Sequence, residues 1–187
     1  MENKKQLHQA SEWKMNPMKE IFIEKIVMSV SSPAEKIDKG FKLLKIVSGV
    51  QPLKRKSTKR IPAFGVRPGL EVGALVTIRD QEKIRNLLKR FFEAIEHKLR
   101  ENQISKNTFS FGIKEYIEVE GIEYQRDIGI IGFDVTVTFA RKGKRVLRRK
   151  LKRGIYPERQ HVTPEEIIDY MKKHFQIVFK GKEKEEE

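Results

Sequence analysis

Three segments of the chain alternate apolar and polar residues with a period of two, and that pattern limits the fold more than any other feature. Over residues 21 to 31, Ile26, Met28 and Val30 share one side while Lys25, Ser29 and Ser31 share the other. Over 72 to 79, Val72, Ala74, Val76 and Ile78 oppose Gly73, Leu75, Thr77 and Arg79. Over 133 to 141, Phe133, Val135, Val137 and Phe139 oppose Asp134, Thr136 and Thr138. Successive strand side chains point to opposite faces, so each segment can bury only one of its two faces.

Amphipathic helices lie between these strands. Ile37, Phe41, Leu44 and Val47 keep helical spacing; Ser32 and Pro33 supply an N-cap and first turn, and Gly49 ends the run. Asp80 is placed to cap a helix carrying Ile84, Leu87, Leu88, Phe91, Ile95 and Leu99. Thr163 and Glu166 form a capping box ahead of Ile167, Ile168, Met171 and Phe175. TFSFGI, 108 to 113, reads as a further short strand, and 3 to 15 as a short helix stopped by Asn16-Pro17. Intermixed strands and helices, with polar outer strand faces, predict an α+β fold: an antiparallel sheet with helices packed on one face, the opposite face open. Residues 50 to 71 are basic and broken by Pro52, Pro62, Gly65, Pro68 and Gly69, which predicts a long protruding basic loop between strand ends. The expected organisation is an N-terminal extension over 1–15, a single α+β domain over 16–180 and an acidic tail over 181–187.

Charge narrows the function. The chain has 187 residues and a formal net charge of +14, an excess that repels itself unless a polyanion neutralises it. No apolar run approaches the roughly 18 residues needed to span a bilayer, and MENKKQLHQASEWK has no apolar signal core, so no membrane partner and a soluble, cytoplasmic protein are expected. With no cysteine, disulfides and thiolate metal sites are excluded. Nucleotide-loop, zinc-protease and serine-hydrolase signatures are absent, and His8, His97, His161 and His174 are scattered. No catalytic residue, metal site or cofactor is expected.

KRKSTKR at 54 to 60 holds five cations in seven residues, and RKGKRVLRRKLKR at 141 to 153 holds nine in thirteen. Both runs carry one sign, which suits phosphate contact, although solvated charge runs also look like this. The polar strand faces, with Lys25, Ser29, Thr77, Arg79, Thr136 and Thr138, could lie against a phosphate backbone or could be exposed strand faces only. Phe64, between Arg60 and Arg67, could stack on a nucleic acid or fold against Ile61 or Leu70. Zinc-finger, basic-zipper and RNP1 patterns are missing. A general basic nucleic-acid-binding protein and an RNA-modifying enzyme stay open at this level.

Several separated motifs, in order, resemble the universal large-subunit ribosomal protein L-five family. They are Asn16-Pro17-Met18; IEKIVMSVS at 23 to 31; the run Gly49, Pro52, Lys56, Phe64, Arg67, Gly69, Gly73, Val76, Thr77 and Arg79; FSFGIKE at 109 to 115; and GIIGFD at 129 to 134, followed by RKGKRVLRRK. HVTPEEIIDYMKKHF looks like the archaeal branch. The resemblance implies a non-enzymatic ribosomal protein that binds 5S rRNA in the central protuberance. It implies further contacts with large-subunit rRNA, neighbouring ribosomal proteins, P-site tRNA and a small-subunit head protein across an intersubunit bridge. The expected rRNA-binding residues are Lys25, Ser29, Gln51, Lys54, Lys56, Thr77, Arg79, Thr136, Arg148 and Arg149. The expected tRNA-binding residues are Lys59, Arg60, Phe64 and Arg67. Two positions depart from the family. Ser29 stands where Asn is usual, keeping a hydroxyl but losing the amide's paired donor and acceptor. Val50 stands where Gln is usual, with Gln51 one place later.

Overall fold

The computed structural model describes residues 16–31 and 37–180. The predicted helix over 3–15, the Ser32-Pro33 helix entry and the acidic tail lie outside the described residues. In chain order the elements are β1 (Ile21–Ser31), α1 (Ile37–Ser48), β2 (Leu53–Lys56), β3 (Glu71–Ile78), α2 (Gln81–Ala94), β4 (Lys98–Arg100), β5 (Ile104–Ser105), β6 (Thr108–Ile113), β7 (Phe133–Arg141), the single turn α3 (Arg145–Arg148), α4 (Pro164–Phe175) and β8 (Val178–Lys180). Six strands form one sheet in the order β2-β3-β1-β7-β6-β5, every neighbouring pair antiparallel. β4 and β8 form a separate parallel pair.

The apolar alternation selects the buried face. Ile26, Met28 and Val30 of β1, Ala74, Val76 and Ile78 of β3, Phe109, Phe111 and Ile113 of β6, and Phe133, Val135, Val137 and Phe139 of β7 are all buried in the core cluster. α1 adds Leu43, Leu44 and Val47, α2 adds Ile84, Leu87, Leu88, Phe91 and Phe92, and α4 adds Ile167 and Met171. All three helices therefore cover the same side of the sheet. Phe92 sits in an aromatic group with Phe109, Phe111 and Phe175, with ring centroids 5.2 to 6.3 Å apart. Such contacts add specificity beyond the area they bury.

A bulge resolves one irregularity in β1. Ile23 and Ile26 are both buried although three residues apart, because the pairing with β7 slips between Ile23 and Lys25. Glu24 is the extra residue in that slip. The caps at Asp80 and Thr163 form as expected: the Asp80 carboxylate accepts from the Glu82 N–H at 3.3 Å, and Thr163 and Glu166 exchange both bonds of a capping box.

The predicted second helix is too long by one turn. α2 ends at Ala94, Ile95 is its C-cap, and Glu96 and His97 turn the chain with φ of 53° and 56°. Leu99 is buried, but from β4, where it pairs with Phe179 of β8. Its spacing from Ile95 matches a helical repeat while its backbone belongs to a strand.

Candidate nucleic-acid interface

Residues directly opposite on antiparallel strands point to the same face, so the register maps the uncovered side of the sheet row by row. Arg55, Gly73 and Ser31 form one row. Leu53, Leu75, Ser29, Asp134 and Gly112 form the next. Thr77, Val27, Thr136 and Ser110 follow, then Lys25, Thr138 and Thr108. Arg79 comes after the last paired residue of β3 and is exposed. None of these side chains enters the core cluster. The platform is thus rich in hydroxyls (Ser110 Oγ and Thr136 Oγ1 are 3.1 Å apart), with cations at its borders and one exposed carboxylate, Asp134.

Four of the predicted residues, Lys25, Ser29, Thr77 and Thr136, meet on adjacent rows, and Arg79 borders them. Lys54 does not join them. It stands opposite Ala74, on the helix side of the sheet, and its ammonium lies 2.8 Å from Asp38 of α1 and 3.0 Å from Glu71. Hydrogen bonds to Asp38 and then Glu71 hold Lys54 above the usual lysine range, and the same contact holds Asp38 below the usual carboxylate range. Lys56 is exposed beyond a register shift in β2, and Gln51 is exposed ahead of that strand. Arg55 and Leu53 are the residues of this strand that face outward, and the sequence reading missed both. Only the pairing of Arg55 with Gly73 reveals it, because LKRK shows no apolar phase of its own. Ser110 and Thr108 were missed as well, although their alternation within TFSFGI carried the signal; Asp134 was read on the polar side of its strand but not among the binding residues.

The basic segment after β7 does not stand apart from the sheet. Ala140 follows Thr138 on the open side yet is 3% exposed, because the chain turns back over this end of the face. A cavity there is lined by Ala140, Leu147, Gly154 and Tyr156. Lys144 reaches Glu24 at 2.6 Å and Arg148 also pairs with it, while Lys142 pairs with Glu20 at 2.8 Å. Arg148 is therefore partly neutralised; Arg149 is exposed, with no carboxylate partner among the described residues.

The long loop is an ordered hairpin. Ser57 and Leu70 bond through the backbone at 2.8 Å, and Ile61 and Val66 exchange bonds of 2.9 and 3.1 Å. Pro62–Phe64 make one tight turn, which Gly65 closes at φ 64°. Phe64 is 81% exposed at the tip, so it does not fold against Ile61 or Leu70. Lys59, Arg60 and Arg67 are exposed beside it. Among the described residues no group of three or more His, Cys, Asp or Glu could hold a metal ion, and no helix is long and apolar enough to cross a membrane.

A family model for the C-terminus of the ribosomal protein L-five family matches residues 71–178, from the start of β3 into β8. The chain belongs to the ribosomal protein L-five family. Relatives named large ribosomal subunit protein uL5 extend the likeness over most of the chain. That of Nanoarchaeum equitans is 36% identical over 157 residues, 83% of this chain and 93% of the relative. That of Aeropyrum pernix is 36% identical over 172 residues, 90% and 89% of the two chains. That of Pyrobaculum aerophilum is 37% identical over 163 residues, 86% and 90%. In this L-five family chain the open face is built from segments outside and inside the family match, since β1 and β2 precede residue 71 and β3, β6 and β7 lie within it.

Proposed function

We propose that this member of the L-five family is a structural, non-catalytic protein of the cytoplasmic large ribosomal subunit that holds 5S rRNA on the open face of its sheet. The observation that carries the reading is the uncovered platform of Ser29, Thr77, Thr136 and Ser110, bordered by Lys25, Arg55 and Arg79. Hydroxyls can donate to or accept from ribose and phosphate oxygens, and the cations neutralise the backbone; shape and 2′-hydroxyl contacts then distinguish folded RNA from a generic polyanion. The hairpin of residues 57–70 is the proposed arm toward P-site tRNA, with Phe64 as an apolar or stacking contact and Lys59, Arg60 and Arg67 for phosphates. Large-subunit rRNA, proteins of the central protuberance and a small-subunit head protein across the intersubunit bridge complete the proposed partners, with residues 16–180 as the RNA-binding domain.

The test compares binding of 5S rRNA with binding of an unrelated duplex of equal length at one salt concentration. Tight binding to 5S rRNA alone is expected, and Thr77→Ala should weaken it without lowering the melting temperature. Equal affinity for both RNAs, with Thr77→Ala neutral, would leave only a general basic nucleic-acid-binding protein.

A further inference from the structure

The end of the sheet where β1 begins and β7 finishes holds a cleft of about 510 Å³ that the platform does not account for. It is far larger than the roughly 30 Å³ share of one water. Its walls include Glu24 at the β1 bulge, Arg79 just after β3, Gln81 at the start of α2, and Lys144, Arg145 and Arg148 of the basic segment. Gln81 is fixed there by donating to the Ile23 carbonyl at 2.7 Å. The Glu24 side chain is only 11% exposed, and it carries two cations, Lys144 and Arg148. A carboxylate this sheltered is tolerated because it is paired. Lys144 and Arg148 stand four apart across the single turn α3, so one carboxylate grips the turn at two points. Arg79 and Arg145 have no carboxylate partner among the described residues. The cleft is thus lined by two guanidinium groups from separate elements, and Glu24 anchors, through Lys144 and Arg148, the turn that carries one of them.

We infer that this cleft seats one backbone phosphate of the bound RNA between Arg79 and Arg145, and that Glu24 is the positioning residue that makes it. The inference rests on the reading of the partner as RNA. Guanidinium groups suit the site because their fork can grip two phosphate oxygens at once. Glu24 acts against the general electrostatic rule. Removing a negative charge from a protein should tighten its hold on a polyanion, yet here it releases the turn that carries Arg145.

The experiment measures 5S rRNA affinity against salt for the full chain and its variants, with a melting curve for each. Glu24→Gln is expected to weaken binding roughly tenfold, the scale of a lost contact between charged groups. Glu24→Asp should recover part of the loss. Glu20→Gln makes the same change of charge in the exposed pair with Lys142 and should not weaken binding. Arg79→Gln and Arg145→Gln should each lower the slope of log affinity against log salt by about one. Should Glu24→Gln prevent folding, Arg145→Gln, at an exposed position, carries the test alone. Tightening by Glu24→Gln equal to that by Glu20→Gln, or an unchanged slope for Arg145→Gln, overturns the inference while RNA binding by the parent chain stands. A parent chain that binds no RNA removes the underlying reading as well. Inorganic phosphate titrated without RNA separates the two sources of the same oxyanion: binding only at concentrations far above those of RNA supports a backbone seat, and saturation at comparable concentrations overturns it in favour of a free-anion site.

Discussion

Gly132 leaves no space for a side chain. A Cβ there would lie 2.5 and 2.6 Å from the carbonyl oxygens of Lys114 and Ile113, and backbone cannot yield as a flexible side chain can. Gly132→Ala is expected to destabilise the protein by about 2 kcal/mol, measured by chemical denaturation. Arg141 and Glu166 show a second residue-level constraint. Burial pushes the Glu166 carboxyl up, but hydrogen bonds from Arg141, at 2.5 and 2.6 Å, and from the Thr163 N–H outweigh it, so the carboxyl titrates below its ordinary 4.5. A depressed folded-state value stabilises the protein above the unfolded value, and that stability is lost as pH falls through the folded one. Glu166→Gln should therefore be less stable than the parent at pH 7, with the difference narrowing below pH 4.5. A gap that stays constant across that range would show that the pair contributes nothing through ionisation. Residue choice at the interface was legible only in part. Thr77 and Thr136 lie in strands whose apolar phase marks the outer face, whereas Lys54 and Arg55 lie in a strand where every position is polar except one exposed leucine.

At the scale of elements, caps and alternation carried most of the information. Thr163 is both an N-cap and one half of a capping box, so Thr163→Ala should cost about 1 kcal/mol, seen as a shifted denaturation midpoint with an unchanged slope. The hairpin of residues 57–70 makes its own backbone bonds, and its tip residue Phe64 is solvent-exposed. Removing residues 61–68 should therefore spare both the fold and 5S rRNA binding while impairing P-site tRNA handling in assembled ribosomes. Loss of 5S rRNA binding in that variant would place the hairpin in the wrong role. The sequence did not reveal β4 and β8. Three residues are too few to establish a period, and these strands exist only because the chain brings two distant segments side by side. The overrun of α2 has the same origin, since Leu99 keeps a helical interval by coincidence.

For the whole molecule, the +14 charge makes a prediction independent of any single residue. If six to ten phosphates are contacted, affinity for 5S rRNA should fall by roughly 10³- to 10⁵-fold between about 50 and 200 mM salt. A weak salt dependence would contradict a platform bordered by cations. The sequence alone determined that one face of the sheet must be buried and the other polar, because strand side chains alternate and only one set is apolar. It also determined that helices must supply the missing cover, and that the chain carries a large positive excess. Only the tertiary structure decided which cations share that polar face, since register depends on how strands far apart in the chain align. The same is true of the cleft around Glu24: its carboxylate and the cations that grip it are some 120 residues apart in the chain, and a strand bulge and a returning loop bring them together.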